Sequence, residues 1–348
     1  MIKVLIVDNS PVICRQIKQI LEQTGNMCVT GMVVNGEEAV AFAKKRRPDV
    51  IAIDSGIQRI GVYEATRMIM ETCPVPVVVV VEGYQRGDIE KSFHAMDAGA
   101  VAVVEKPFDA AGNAIDAETV KNFIETIRLM SEIKVVRRWS SERRTRSSPV
   151  SLPEAERKTK IVAIGASTGG PPALQSIFSC LKKDFPVPLL VVQHITKNFL
   201  EGMVEWLGKT TVLPIQIATH GGYLLPGHIY FAPDNFHMGV GSGGRVELSN
   251  NEPENYVRPS VSHLFRSVNQ VYGKGAIGVL LTGMGRDGAY EMGLMKKIGA
   301  VTITQDKESC VVYGMPYEAV KLDAATHVLP LKAIPVMLEE LVKEMDIE

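Results

Sequence analysis

Twice along this chain, short apolar runs of strand length alternate with amphipathic stretches, and that rhythm leaves few folds open. The first series is 3–7, 50–53, 75–81 and 100–104; the second is 161–164, 188–193, 276–281 and 300–304. Between the runs, 12–21 places Val12, Ile13, Ile17, Ile20 and Leu21 at helical spacing. Segment 172–181 does the same with Leu174, Ile177, Phe178 and Leu181, and 333–343 is a third amphipathic stretch. Unbroken apolar strands are strands buried on both faces, and strands alternating with helices build parallel sheets covered by helices on either side. The expected class is therefore α/β, with two doubly wound parallel sheets.

The segment 134–160 interrupts the rhythm. It carries nine Lys or Arg against three Glu, with serines and two prolines among few apolar residues. Such a composition cannot bury a core, so it reads as a linker, with contact to an acidic partner as the other possibility. A length of 348 residues divided by about 150 per domain also gives about two domains. The expected division is 1–131, a basic linker at 132–158, and 159–348. Lys and Arg number 38 against 39 Asp and Glu, so no global field draws the chain to nucleic acid or to an anionic membrane. No apolar run approaches the ~20 residues of a membrane helix, and MIKVLIVDNS lacks the pattern of a secretory leader. The five cysteines show no CxxC spacing, which suggests reduced, mostly buried thiols in a cytoplasmic protein.

Chemistry concentrates in the second series. Gly165-Ala166-Ser167-Thr168-Gly169-Gly170 lies between a strand and a helix and has the G-x-S-x-G spacing of a nucleophile elbow. A sharp turn would lift the Ser167 hydroxyl off the sheet, and the helix N-terminus would face a developing oxyanion. A phosphate cradle or a plain tight turn fits the same residues. A nucleophilic serine needs a base, and His194, directly after the run 188–193, is the best placed of seven histidines. An imidazole base needs an orienting carboxylate, and Asp287 follows the run 276–281 through the Gly-rich Thr282-Gly283-Met284-Gly285-Arg286. Open parallel sheets gather their sites beyond the carboxyl ends of the strands, where all three residues fall. Taken singly, His194 could be structural and Asp287 a turn residue. No HExxH or tight metal-ligand cluster is present, nor a full dinucleotide fingerprint.

These motifs, together with Gln193-His194, Arg258-Pro259-Ser260-Val261, Gln305-Asp306 and Gly314-Met315-Pro316, resemble the bacterial chemotaxis protein-glutamate methylesterase (CheB) family over about residues 160–330. The resemblance implies a serine hydrolase that demethylates glutamate γ-methyl esters on chemoreceptor cytoplasmic helices and deamidates specific glutamines there. It implies Ser167 as nucleophile, His194 as base, Asp287 as orienting acid, and Thr168 and Met284 beside the oxyanion. No cofactor is expected for catalysis. The family's aspartate after Arg-Pro-Ser-Val is replaced by Ser262. A non-catalytic receptor or kinase adaptor is the alternative.

Residues 1–131 resemble the family's N-terminal receiver, a flavodoxin-like regulatory domain. That likeness implies Asp54 as phospho-acceptor, a receiver site of Asp8, Asn9 and Lys106, possible Mg²⁺ on Asp8 and Asp54, and a histidine kinase of the chemotaxis type as a partner beside the methyl-accepting chemoreceptors. The site departs from the family pattern. Asn9 replaces an acidic residue, Val81 stands where a switch Thr or Ser is usual, and Ser55–Gly61 replaces the usual Met-Pro loop. Fewer carboxylates bind a dication more weakly, so muted phosphorylation or a constitutive docking role is expected.

Overall fold

The computed structural model describes residues 1–82, 86–109, 113–133, 135, 160–241 and 243–343, with the backbone alone for 86–90. The chain divides into two compact units, Met1–Glu142 and Arg143–Glu348. Most of the expected basic linker lies outside the described residues.

The first unit alternates β1 (Ile2–Val7), α1 (Pro11–Glu22), β2 (Met27–Val33), α2 (Gly36–Arg46), β3 (Val50–Asp54), α3 (Val62–Thr72), β4 (Val77–Val81), α4 (Arg86–Asp97), β5 (Ala102–Glu105) and α5 (Ala117–Ser131). Its five strands are parallel in the order β2-β1-β3-β4-β5. The strand order reverses between β1 and β3, so Asp8, just past β1, and Asp54, the last residue of β3, flank the switch point where such sheets bind ligands. Strand β2 was not among the apolar runs read from sequence. Its exposure alternates, as on a sheet edge, so it lacks the continuous apolar signal of a buried strand. Strand β4 begins at Val77 rather than at residue 75. Pro74 and Pro76 flank Val75 and have no N–H for the ladder.

The second unit contains β6 (Ile161–Ala166), α6 (Gly170–Phe178), β7 (Leu189–Gln193), α7 (Leu200–Gly208), β8 (Ile215–Ile217), β9 (Ile229–Phe231), β10 (His237–Val240), β11 (Val246–Ser249), α8 (Val261–Tyr272), β12 (Ala276–Leu280), α9 (Ala289–Lys297), β13 (Val301–Gln305), α10 (Met315–Lys321), β14 (His327–Leu329) and α11 (Ile334–Lys343). A seven-stranded parallel sheet runs β14-β13-β12-β6-β7-β9-β8. Every residue of β6, β7, β12 and β13 is buried, as two helical layers require. The order reverses between β6 and β12. An antiparallel ribbon, β10–β11, packs with α8 on the core and was not anticipated from sequence. Helix α6 starts at Gly170, two residues earlier than expected, because Pro171 and Pro172 fit the first turn, where N–H groups have no partner.

Among the described residues, no helix is long and apolar enough to cross a membrane. All five cysteines are free, but only Cys14 and Cys73 are buried.

Candidate active site

Strand β6 is central, and its carboxyl end delivers Ser167 into a turn locked from three sides. The Ser167 N–H donates to Thr282 O (3.0 Å), while the Ser167 carbonyl accepts from Gly170 N (2.8 Å) and Gln193 Nε2 (2.9 Å). Gly169 closes the turn with φ +77°, a conformation open to glycine. Gly283 is glycine for space: a Cβ there would lie 2.6 Å from the Ser167 Cβ and 2.6 Å from Met315 Sδ. The backbone is thus clamped while the side chain stays half-buried.

His194 follows the end of β7, the neighbour of β6, and its N–H extends the ladder to Ala166 O at 2.9 Å. Asp287 lies beyond β12, the neighbour on the other side. The His194 ring reaches to the Asp287 carboxylate, Nε2 to Oδ2, at 3.0 Å. The three strand-end residues therefore meet at one rim, with Ser167 on the strand between the other two. Among the described residues the Ser167 hydroxyl makes no hydrogen bond to His194, so one of the two links of the expected triad is closed. Such bonds commonly tighten only with substrate bound.

Asp287 is 4 % exposed and accepts five hydrogen bonds. Oδ2 takes His194 Nε2 and Val261 N (2.6 Å); Oδ1 takes Ser260 Oγ (2.8 Å), Asn255 Nδ2 (2.9 Å) and Ser262 N (3.1 Å). Val261 and Ser262 open helix α8, so the carboxylate sits at a helix N-terminus, where the dipole favours negative charge. Burial would raise its pKa, but the hydrogen bond from His194, with those from Ser260 and the Val261 N–H, outweighs it and holds the carboxyl well below the usual range. An ionised Asp287 can only accept, so His194 Nε2 must carry the proton and donate it. The free lone pair of neutral His194 is then on Nδ1.

Thr168 and Met284, the residues expected beside the oxyanion, lie on two turns. The Thr168 carbonyl accepts from Thr282 Oγ1 (2.9 Å), which fixes the peptide plane there. Among the described residues, the backbone N–H groups of Thr168 and Met284 find no acceptor within the chain. Both residues are half-buried. Thr282 N donates to Gln305 Oε1 (2.9 Å), and Gly283 N and O bond Val312 O (3.0 Å) and Met315 N (2.9 Å), which ties the loop after β12 to the loop before α10. The positioning roles of Asn255 and Ser262 were missed from sequence. Neither carries a strand-end or glycine-turn signal, and they lie 32 and 25 residues from Asp287.

In the first unit, Lys106 Nζ lies 2.9 Å from Asp8 Oδ2 and 2.5 Å from Asp54 Oδ2. Burial disfavours the ammonium, yet the two carboxylates raise its pKa. Asn9 is exposed, and Val81 is fully buried with no hydroxyl to offer. Among the described residues no group of three or more His, Cys, Asp and Glu side chains could hold a metal ion.

Residues 162–338 match the sequence model of the CheB methylesterase family, and 4–113 match that of the response regulator receiver domain. The chain is 45% identical over 346 residues to protein-glutamate methylesterase/protein-glutamine glutaminase 1 of Syntrophus aciditrophicus, covering 98% of both chains. It is 47% identical over 348 residues to the protein of that name from Nitrosospira multiformis, covering 99% of this chain and 98% of the relative. The crystal structure of the Thermotoga maritima CheB methylesterase catalytic domain superposes with a TM-score of 0.52 at 39% identity, over 53% of this chain and 100% of that one.

Proposed function

This chain belongs to the CheB methylesterase family, and from that premise we propose that it hydrolyses glutamate γ-methyl esters, and the side-chain amides of specific glutamines, on chemoreceptor cytoplasmic helices. The observation that carries the reading is the His194–Asp287 hydrogen bond at the strand end beside Ser167. A phosphate-binding turn or a passive adaptor has no physical need of an imidazole held in one tautomer by a carboxylate that accepts five hydrogen bonds.

Ser167 Oγ attacks the ester carbonyl carbon as its proton passes to His194 Nδ1. The imidazolium so formed is stabilised by Asp287, which stays ionised. The Thr168 and Met284 N–H groups receive the developing oxyanion, already oriented and needing no reorganisation. His194 returns the proton to the leaving oxygen, methanol departs, and an acyl-enzyme on Ser167 remains. Water, deprotonated by the same Nδ1, attacks that ester; the glutamate carboxylate leaves and Ser167 regains its proton. With glutamine the leaving group is ammonia. No cofactor takes part.

The first unit acts as a receiver-like regulator of this activity, with a histidine kinase as the partner its fold implies. Its acidic pocket offers two buried carboxylates converging on one ammonium, a donor set that fits a hard dication with a short complement of charge. Mg²⁺ would be held there by Asp8 and Asp54, with the neutral Asn9 beside them, and would neutralise charge on a phosphoryl group at Asp54. The loss of an acidic ligand at Asn9 and of a switch hydroxyl at Val81 favours a docking or inhibitory module over a strong phosphorylation switch. The site of action is the cytoplasm, where receptor signalling helices lie.

Methanol release from methylated receptor tests the reading. Ser167→Ala should abolish release while melting like the wild type, because the Ser167 hydroxyl holds no partner among the described residues. Undiminished release by that variant would remove Ser167 from the mechanism.

A further inference from the structure

The turn that supplies Asn255 to the catalytic carboxylate ends in a feature that the chemistry above does not use. Glu254 and Val257 exchange backbone hydrogen bonds (3.2 and 3.0 Å), closing a two-residue hairpin loop over Asn255 and Tyr256. Both central residues are left-handed, with φ +52° and +66°. Loops of this kind favour Asn followed by Gly, because the second position also needs positive φ. Here a tyrosine stands in the glycine's place, a costly conformation for a bulky residue. The ring gains nothing from burial in return, since Tyr256 is 98 % exposed.

The loop is clamped on both sides of that tyrosine. Asn255 Nδ2 donates to Asp287 Oδ1 (2.9 Å) and Ser262 Oγ (3.1 Å). The Glu254 carboxylate is held by His263 (3.1 Å) and by Arg266 (3.1 and 2.6 Å). A large amphipathic ring is therefore presented to water on a rigid support, one residue from the side chain that grips Asp287. Rigid presentation cuts the ordering cost of a contact, and tyrosine supplies much contact area for few rotatable bonds.

We infer that Tyr256 is a substrate-docking residue, whose ring packs on the receptor helix beside the ester to be cleaved. The inference rests on the receptor-methylesterase reading, and the occupant is the substrate helix because the loop is anchored to the catalytic carboxylate itself. The ring touches no reacting atom, so its contribution falls on substrate capture.

The test uses the full chain as wild type, Tyr256→Gly and Tyr256→Phe. KM and kcat for methanol release from methylated receptor are measured beside Ser167-dependent hydrolysis of p-nitrophenyl acetate, which is too small to reach the ring. Tyr256→Gly relieves the left-handed strain, so its melting temperature should not fall. Its receptor KM should rise about tenfold, the scale of one aromatic contact, with kcat and p-nitrophenyl acetate hydrolysis within about twofold. Tyr256→Phe should keep the wild-type KM. An unchanged receptor KM in Tyr256→Gly overturns the inference. So does a parallel loss on both substrates, which would make the residue a support for Asp287, or a rise on both, which would mean that the ring holds an inhibitory unit of the protein. Failure of the wild type on receptor, with p-nitrophenyl acetate still cleaved, would instead count against the receptor reading.

Discussion

Exchanging Asp287 for asparagine separates the two tasks of this carboxylate, because it changes one atom and keeps the shape. The substituted amide would keep one oxygen, best spent on the three donors now at Oδ1: Ser260 Oγ, Asn255 Nδ2 and Ser262 N. Its nitrogen would then face Val261 N and His194 Nε2, where Oδ2 accepts at 2.6 and 3.0 Å. The flipped amide is worse, since nitrogen would then face three donors. The bond to His194 can re-form in the reverse direction, so the one lost outright is that from Val261 N; at about 1.5–3 kcal/mol for a hydrogen bond to a charged group, the stability loss should be of that size. Urea unfolding with a two-state fit of the second unit's transition reads that loss. The catalytic effect has another origin. An amide N–H opposite Nε2 compels that nitrogen to accept, and the imidazole proton moves to Nδ1, the atom that must take the serine proton. Carboxylate-to-amide exchange in a serine triad costs about 10⁴ in turnover by this route. Methanol release below the melting transition measures it. Turnover within tenfold of wild type in a folded variant would show that His194 does not take its tautomer from Asp287, and the mechanism would need another orienting group.

Three further outcomes follow from other residues. Gly283→Ala would push a methyl against Ser167 Cβ and Met315 Sδ; overpacking costs about 1–3 kcal/mol, and turnover should fall more steeply than stability because the nucleophile itself is displaced, so equal falls would argue that the turn yields elsewhere. His237 is fully buried, and burial first, then the neighbouring His263 and Arg258, lowers its pKa below 6.5, against the Glu252 carbonyl and Glu254. The unfolded chain then binds more protons than the folded one below pH 6.5, so stability is full above that pH and declines on acidification toward the folded pKa; His237→Phe should flatten that decline in melts below pH 6.5, and an unaltered slope would assign it to other groups. In the receiver unit, a small-molecule phosphoryl donor should change esterase activity less than about twofold, since Val81 offers no hydroxyl and Asn9 no charge; a large activation lost in Asp54→Asn would reverse this view of the domain.

Much of the architecture is local chemistry and could be read without coordinates. Buried parallel strands such as β7 and β12 announce themselves as unbroken apolar runs, and Ser167, His194 and Asp287 are legible because each follows such a run. Glycines at 169 and 283 mark where a backbone must turn or come close. What could not be read has one physical cause: it depends on which strands become neighbours. Edge strand β2 and the β10–β11 ribbon carry too short or too mixed a pattern to stand out. The cradle of Asp287 draws Asn255, Ser260 and the first turn of α8 from a segment more than two dozen residues away, and only the placement of β6 between β7 and β12 brings them to the same rim. The chain's own order of residues thus determined the fold class and the strand-end positions of Ser167, His194 and Asp287, since apolar periodicity and turn chemistry act over a few residues. Tertiary structure decided the hydrogen bonds that reach Asp287 from His194 and Asn255, because they join segments that meet only once the sheet is ordered.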